Sequence, residues 1–301
     1  MKSAKTYVLL ERLASGGMAD IFLAREIASA GLVRHCVVKR IRRDCESDAR
    51  YVQLFHEEMR IVSRLQHPNI PHVLDIGRID GSSFMAMEYV HGVTLGGLLG
   101  RARAASTMLP LSTILPIAAG IACALQHVHD RGVVHHDVSL SNVMVTFDGH
   151  VKLIDFGIAS TRNDVCPGMI KGKPAYMAPE RRVGALGDER SDLFSLGVVL
   201  WELLCQMRLA PGDSVVPPST FRPMLPVQLD HLVAALLADD PEARHASASC
   251  VLDSIERIAR HTSTLMTPTS TRHVLHTLFG ATPEPWTVDD RTEVYEQRLA
   301  S

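Results

Sequence analysis

Two neighbouring stretches in the middle of the sequence hold two carboxylates and a carboxamide. In Val134-His135-His136-Asp137-Val138-Ser139-Leu140-Ser141-Asn142-Val143-Met144, a carboxylate and a carboxamide lie five apart in a polar segment bounded by apolar residues. Shortly after, Val151-Lys152-Leu153-Ile154-Asp155-Phe156-Gly157 ends a strand-like run with a second acid. Asp137 is placed to take the proton of a hydroxyl, and Asn142 and Asp155 offer the hard oxygens that Mg²⁺ requires. Nearer the N-terminus, Lys39 stands within the apolar run Val37-Val38-Lys39, where a buried ammonium is costly without a carboxylate. Glu58, on the inward face of the following helix, is such a carboxylate, and a strand lysine paired with a helix glutamate can hold the α- and β-phosphates of ATP. Earlier still, Leu13-Ala14-Ser15-Gly16-Gly17-Met18-Ala19-Asp20-Ile21 forms a small-residue turn between strands, which lets backbone amides approach phosphates. Taken singly, each has a plainer reading as a hairpin loop, a snorkelling lysine or turn residues bonding their own backbone. A nucleotide and metal site accounts for all of them together.

Short apolar runs with turn punctuation read as antiparallel strands at Tyr7 to Leu13, Ile21 to Arg25, Val33 to Ile41, Val73 to Gly77 and Phe84 to Val90. One helix interrupts them over Arg50 to Leu65, where Leu54, Glu58, Ile61, Val62 and Leu65 recur at helical spacing before His67-Pro68-Asn69. After Gly92 the texture is helical: Leu111 to Asp130, Asp192 to Leu209, Val227 to Ala238 and Ser247 to Arg260. Thr262 to Thr271, rich in Ser and Thr, reads as a linker. With 301 residues, 46% hydrophobic, the chain buries one sizeable core or two modest ones. A formal charge of -2 removes the electrostatic case for a nucleic-acid or anionic-membrane partner. Ile114 to Leu125 is too short to span a bilayer and the N-terminus has no signal-peptide h-region, so a cytoplasmic chain is expected. Six scattered cysteines, Cys36, Cys45, Cys123, Cys166, Cys205 and Cys250, without a CxxC, read as free thiols.

Further along, Ala178-Pro179-Glu180, Asp192-Leu193-Phe194-Ser195-Leu196-Gly197 and Asp240-Pro241-Glu242-Ala243-Arg244 follow in order. With them the sequence resembles a bacterial eukaryotic-type (Hanks-type) serine/threonine protein kinase. The resemblance implies an α+β, bilobal protein kinase-like fold over 7–262, with a small antiparallel-sheet lobe containing one helix at 7–90 and a larger, mainly helical lobe at 91–262; 263–301 would be linker and tail. It implies transfer of the ATP γ-phosphoryl group to Ser and Thr hydroxyls of protein substrates in signal transduction, with ATP and Mg²⁺ as cofactors. The alternatives are a pseudokinase, which binds nucleotide or a partner without transfer, and a small-molecule phosphotransferase, which usually lacks Ala-Pro-Glu. By the same resemblance Met87 is the gatekeeper and Glu88 to Val90 the hinge to adenine. Leu13, Ile21, Val37 and Met144 sandwich the base, Ala14 and Gly16 belong to the phosphate loop, and Val62, Val73, His135 and Phe156 form a hydrophobic spine. Arg244 pairs with Glu180.

The sequence departs from the family pattern at several positions. Ala14 and Ala19 replace glycines, His136 replaces the Arg before the catalytic Asp, and Ser139 replaces the Lys two residues after it. The family threonine of the substrate-positioning loop is here Lys173, so an exchange of roles is expected: Lys173 returns the missing ammonium and Ser139 the missing hydroxyl. His127 and His129 read as caps of a helix C-terminus rather than metal ligands. From Arg162 to Ala178 there is no Ser or Thr, so activity is expected without phosphorylation of that loop. Autophosphorylation, if any, is expected in Thr262 to Thr271; the plainer reading is an unmodified linker to Val274 to Phe279, packed on the larger lobe.

Overall fold

Strands β1 (Thr6–Ser15), β2 (Ala19–Ile27) and β3 (Val33–Ile41), helix α1 (Ala49–Val62), and strands β4 (Val73–Ile79) and β5 (Ser82–Glu88) build the first of two units in the computed structural model. The structure describes residues 5–27, 31, 33–79, 81–156, 160, 161, 172–280, 299 and 300. The strands pair antiparallel in the order β1-β2-β3-β5-β4, and a short strand near the C-terminus, Leu299–Ala300, adds to the outer edge of β1. Tyr7, Leu9, Phe22, Ala24, Cys36, Val38, Phe84 and Ala86 pack into one apolar cluster, so one face of the sheet is committed to core. The other face carries Ile21, Lys39, Val37 and Met87 as cross-strand partners. Asp48 caps α1 by accepting from the Arg50 N–H, and the buried stripe Phe55, Glu58, Met59 and Val62 follows helical spacing. All five expected strands and the expected helix are present.

The second unit contains β6 (Gly92–Thr94), α2 (Leu95–Ala104), α3 (Leu111–His129), β7 (Val133–Val134), β8 (Val143–Thr146), β9 (Val151–Leu153), β10 (Ser160–Thr161), α4 (Pro179–Arg182), α5 (Glu189–Cys205), α6 (Pro218–Phe221), α7 (Val227–Leu236), α8 (Ala248–His261) and α9 (Pro268–Phe279). Helix α3 is its centre and packs against α5, α8, α9 and β9. Among the described residues α3 alone is long and apolar enough to cross a membrane, and here Ile114, Leu115, Ile117, Ile121 and Leu125 are core. Two small ladders, β6-β8-β9 and β7-β10, hold the loops between them. Helix α5 stops where Gln206 turns left-handed, φ 50°. Its side chain receives the Leu109 N–H and donates to the Thr107 carbonyl, tying this end to the start of α3.

One expectation is corrected here. The Ser/Thr stretch read as a linker is in part folded: Pro268 opens α9, and Thr271 is fully buried. Leu275 and Leu278 bury the apolar side of α9, which packs against α2 and α3, so the second unit continues past residue 262. The start of α9 lies so close to the β8–β9 turn that a Cβ at Gly149, φ +90°, would stand 2.0 Å from the Pro268 carbonyl oxygen. Gly149→Ala is therefore expected to cost about 2 kcal/mol or more, measured as a lower urea midpoint. An unchanged midpoint would mean that α9 is not seated there.

Candidate active site

In the first unit, alternation in β3 puts Val37 and Lys39 on the face opposite the core cluster, and the register places Ile21 beside Lys39 and Met87 beside Val37. Lys39 is buried, and its Nζ reaches Oε1 of the equally buried Glu58 at 2.5 Å. Burial obliges an ammonium to find such a partner, and α1 supplies it from its inward stripe. Ile21, Val37 and Met87 are only half-buried beside this pair, and Leu13 is exposed, so the face combines a cation with an open apolar platform. Glu88 is fixed at the end of β5, its N–H donating to the His72 carbonyl at 2.8 Å and its carboxylate accepting the His72 N–H at 3.0 Å. Val90, two residues on, is buried.

Ser15 to Ala19 closes the β1–β2 turn through Gly16 N–H to the Ala19 carbonyl, 2.9 Å, which uses the Gly16 amide inside the turn. Ala14 lies in β1 opposite Ile21. Sequence reasoning missed Arg42, whose guanidinium donates to the Gly16 carbonyl at 3.1 Å while its backbone N–H donates to the Met18 carbonyl at 3.0 Å. No local pattern marks Arg42 for this role, because the contact closes over 26 residues.

In the second unit, the loop between β7 and β8 carries His135 to Asn142. Asn142 is buried, and its Nδ2 donates to the Asp137 carbonyl at 2.9 Å and to Asp137 Oδ2 at 2.7 Å. The amide is thereby oriented, with its Oδ1 left as the acceptor. The backbone of Asn142 also accepts the Ile154 N–H at 2.8 Å, which fixes Asp155 one residue further on. Asp155 is exposed in a left-handed conformation, φ 63°, and the ring of the following Phe156 lies 4.6 Å from that of His135. Met144 is half-buried on β8 opposite Lys152. Val62 and Val73, expected to continue this spine, lie in the first unit; Gly157 and residues 162–171 lie outside the described residues.

Lys173 converges on the same carboxylate. Its Nζ donates to Asp137 Oδ2 at 2.8 Å and its backbone N–H to Oδ1 at 3.2 Å. Ser139, the other half of the anticipated exchange, lies in the same loop as Asp137. Ser139 is fully buried, and its hydroxyl pairs with that of Ser141 at 3.2 Å; Ser141 in turn donates to Asn142 Oδ1 at 3.4 Å.

Comparison with known proteins decides the family: residues 7–254 match the protein kinase domain. The chain belongs to the protein kinase family. It is 34% identical over 274 residues to tyrosine-protein kinase MasK of Myxococcus xanthus, covering 83% of this chain and 42% of that one. It is 31% identical over 257 residues to serine/threonine-protein kinase PrkC of Bacillus subtilis, covering 80% of this chain and 39% of PrkC. The chain thus spans about two fifths of the length of these relatives. The crystal structure of the Mycobacterium tuberculosis PknI kinase domain superposes with a TM-score of 0.66 at 29% identity, covering 84% of this chain and 96% of that one.

Within this kinase domain the loop that carries His135 to Asn142 hangs on Asp192 of α5. Fully buried, Asp192 accepts the His135 N–H at 2.8 Å, the His136 N–H at 2.7 Å and His129 Nε2 at 2.9 Å. Burial pushes its carboxyl up, but the His129 hydrogen bond together with the charges of His129, His136 and His135 outweighs that and brings it down to about 2. His129, read from sequence as a helix cap, is instead this partner; His127 stacks on His67, ring centroids 4.8 Å apart. Glu180 is gripped by Arg244 through two bonds of 2.9 and 2.8 Å and by Ser191 Oγ at 2.6 Å. Burial raises the Glu180 carboxyl, and Arg244 and Ser191 more than offset it. Sequence reasoning also missed Glu202, a buried carboxylate that accepts the Tyr176 hydroxyl at 2.7 Å and so anchors the loop carrying Lys173.

His136 gives this network a pH signature. Burial lowers its imidazole from the ordinary 6.5 to about 4, with the Arg181 charge acting in the same sense. The unfolded chain therefore binds a proton that the folded chain refuses between those values, so this contribution is whole above pH 6.5 and is lost as pH falls toward 4. Urea unfolding is expected to show up to about 3 kcal/mol of such loss, which His136→Gln removes. An unchanged pH slope in His136→Gln would contradict it.

Proposed function

We propose that this chain transfers the γ-phosphoryl group of ATP to Ser and Thr hydroxyls of protein substrates, with Mg²⁺ as the divalent metal. The observation that carries this reading is the state of Asp137: Oδ2 is held by Lys173 Nζ and Asn142 Nδ2 at 2.8 and 2.7 Å, while among the described residues Oδ1 has only the longer 3.2 Å bond from the Lys173 amide. A carboxylate fixed through one oxygen presents the other to an incoming hydroxyl, whose proton it accepts as the oxygen attacks phosphorus. Lys173 keeps an ammonium beside that point, where negative charge must be neutralised during transfer. The oriented Oδ1 of Asn142 and the exposed carboxylate of Asp155 are hard oxygen donors that fit a small divalent cation, which when bound neutralises phosphate charge. Lys39, held by Glu58, is the cation for the α- and β-phosphates.

Val37, Ile21, Met87, Leu13 and Met144 serve as the apolar lining for adenine in this reading, with Glu88 to Val90 as the hinge and Ala14 and Gly16 in the phosphate loop. Serine and threonine are favoured as acceptors because PrkC is named a serine/threonine kinase, as are relatives from Streptomyces coelicolor and Clostridium perfringens. The chain's activity is expected without phosphorylation between Arg162 and Ala178. The test is incubation with γ-labelled ATP, Mg²⁺ and a generic protein acceptor, followed by phosphoamino-acid analysis. Phosphoserine or phosphothreonine is the expected product; label on tyrosine alone would overturn the acceptor class.

A further inference from the structure

We infer that Arg181 is a positioning residue for the transfer proposed above, on which this inference rests: its guanidinium reaches back from α4 and holds the His136–Asp137 peptide, and with it the Asp137 carboxylate. The contact is direct, Arg181 Nη1 donating to the His136 carbonyl at 3.0 Å. His136 needs such a hold. It is left-handed, φ 66°, a strained conformation for a side-chain-bearing residue that persists only where its surroundings impose it. Its N–H is bound to Asp192 Oδ1 at 2.7 Å and its carbonyl to Arg181, so the left-handed turn is pinned on both sides. Asp137 is the very next residue.

The fold also makes room for this guanidinium. Gly187 approaches Ser191 Oγ and the Arg181 stem so closely that a Cβ there would stand 2.5 Å from that hydroxyl, 2.8 Å from Cγ and 2.9 Å from Cδ of the arginine. Gly187 is itself left-handed, φ +72°, so a side chain at that position would meet both strain and the arginine. Asp192, Glu180 and Asp137 all act on the guanidinium electrostatically. The arginine thus arrives from the far side of Ala178-Pro179-Glu180 and couples the substrate-positioning segment to the catalytic loop.

The test compares the wild type with Arg181→Met, Arg181→Lys and Gly187→Ala in the full chain. If the carboxylate is displaced, Arg181→Met lowers kcat by roughly 10²-fold, because small misplacements of a reacting group are that costly. The KM for ATP stays within about twofold, since the Lys39–Glu58 pair is untouched. Arg181→Lys, which can still donate to the carbonyl, recovers about tenfold of the loss, and Gly187→Ala lowers kcat at constant KM without removing a charge. Amide exchange in residues 134–138 quickens in Arg181→Met and is slowed again in the lysine variant. Should Arg181→Met not fold, Arg181→Lys and Gly187→Ala decide: wild-type kcat in both overturns the inference. Equal kcat in wild type and Arg181→Met overturns it as well, as does a lysine variant no better than methionine. A wild type that transfers nothing sinks the proposed function instead, and this inference with it.

Discussion

Lys39→Met is expected to abolish phosphoryl transfer and at the same time to destabilise the first unit by about 3–5 kcal/mol, the cost of removing one member of a buried ion pair. Glu58 is buried, and the substitution would leave its carboxylate facing a thioether 2.5 Å from where the ammonium stood. Changing the partner too, in Lys39→Met with Glu58→Leu, replaces a buried pair by apolar groups of similar size, which is often neutral or stabilising. The double variant should therefore regain most of the stability and none of the transfer. Urea unfolding and a γ-phosphate assay on the same three proteins read the two effects separately. Transfer regained by the double variant would mean that Lys39 serves packing alone.

Lys173→Thr is expected to lower kcat by roughly 10²–10³-fold, the range for removing one charge-stabilising donor from a transition state. Its ammonium is 2.8 Å from Asp137 Oδ2, so the loss falls on the reacting centre rather than on nucleotide affinity. The Asp137–Asn142 bond of 2.7 Å survives the change, which keeps the carboxylate oriented and the fold intact. Ser139→Lys added to Lys173→Thr should restore much of the rate if an ammonium from either position reaches the same point. Strictly additive losses in this double-mutant cycle would show two independent sites. Because Ser139 is fully buried, the double variant is to be checked for folding before its rate is read.

What could be read from the sequence follows from the range over which each signal acts. Period-two alternation through β3 determined which face bears Lys39, and helical spacing in α1 put Glu58 on the buried stripe, so their pairing was legible without coordinates. Asp137, Asn142 and Asp155 were legible because a polar loop and a strand end keep them close along the chain. Lys173 on Asp137 spans 36 residues and was reached only through the resemblance. The contact of Ser139 with Ser141, two residues on, was not part of that resemblance. Arg42, Arg181 and Glu202 were missed, and His129 was read as a cap, for a common reason: each makes a tertiary contact with a partner that no local periodicity names. Helix α9 was missed in part because its first turn, Pro268 to Thr271, has the polar composition of a linker. Its burial comes from α2 and α3, not from its own pattern.

The most direct measurement sets ATP binding beside γ-phosphoryl transfer in the wild type and in Asp137→Asn. The amide keeps the size and the Lys173 and Asn142 neighbourhood of the carboxylate but cannot take a hydroxyl proton. Wild type is expected to bind Mg²⁺-ATP and label a protein acceptor, and Asp137→Asn to bind it about equally while transfer falls by at least about 10³-fold through the combined loss of general-base action and charge. A wild type that binds the nucleotide without transferring it, or an Asp137→Asn protein that transfers at the wild-type rate, would contradict the assignment of Asp137 as the base of a working kinase.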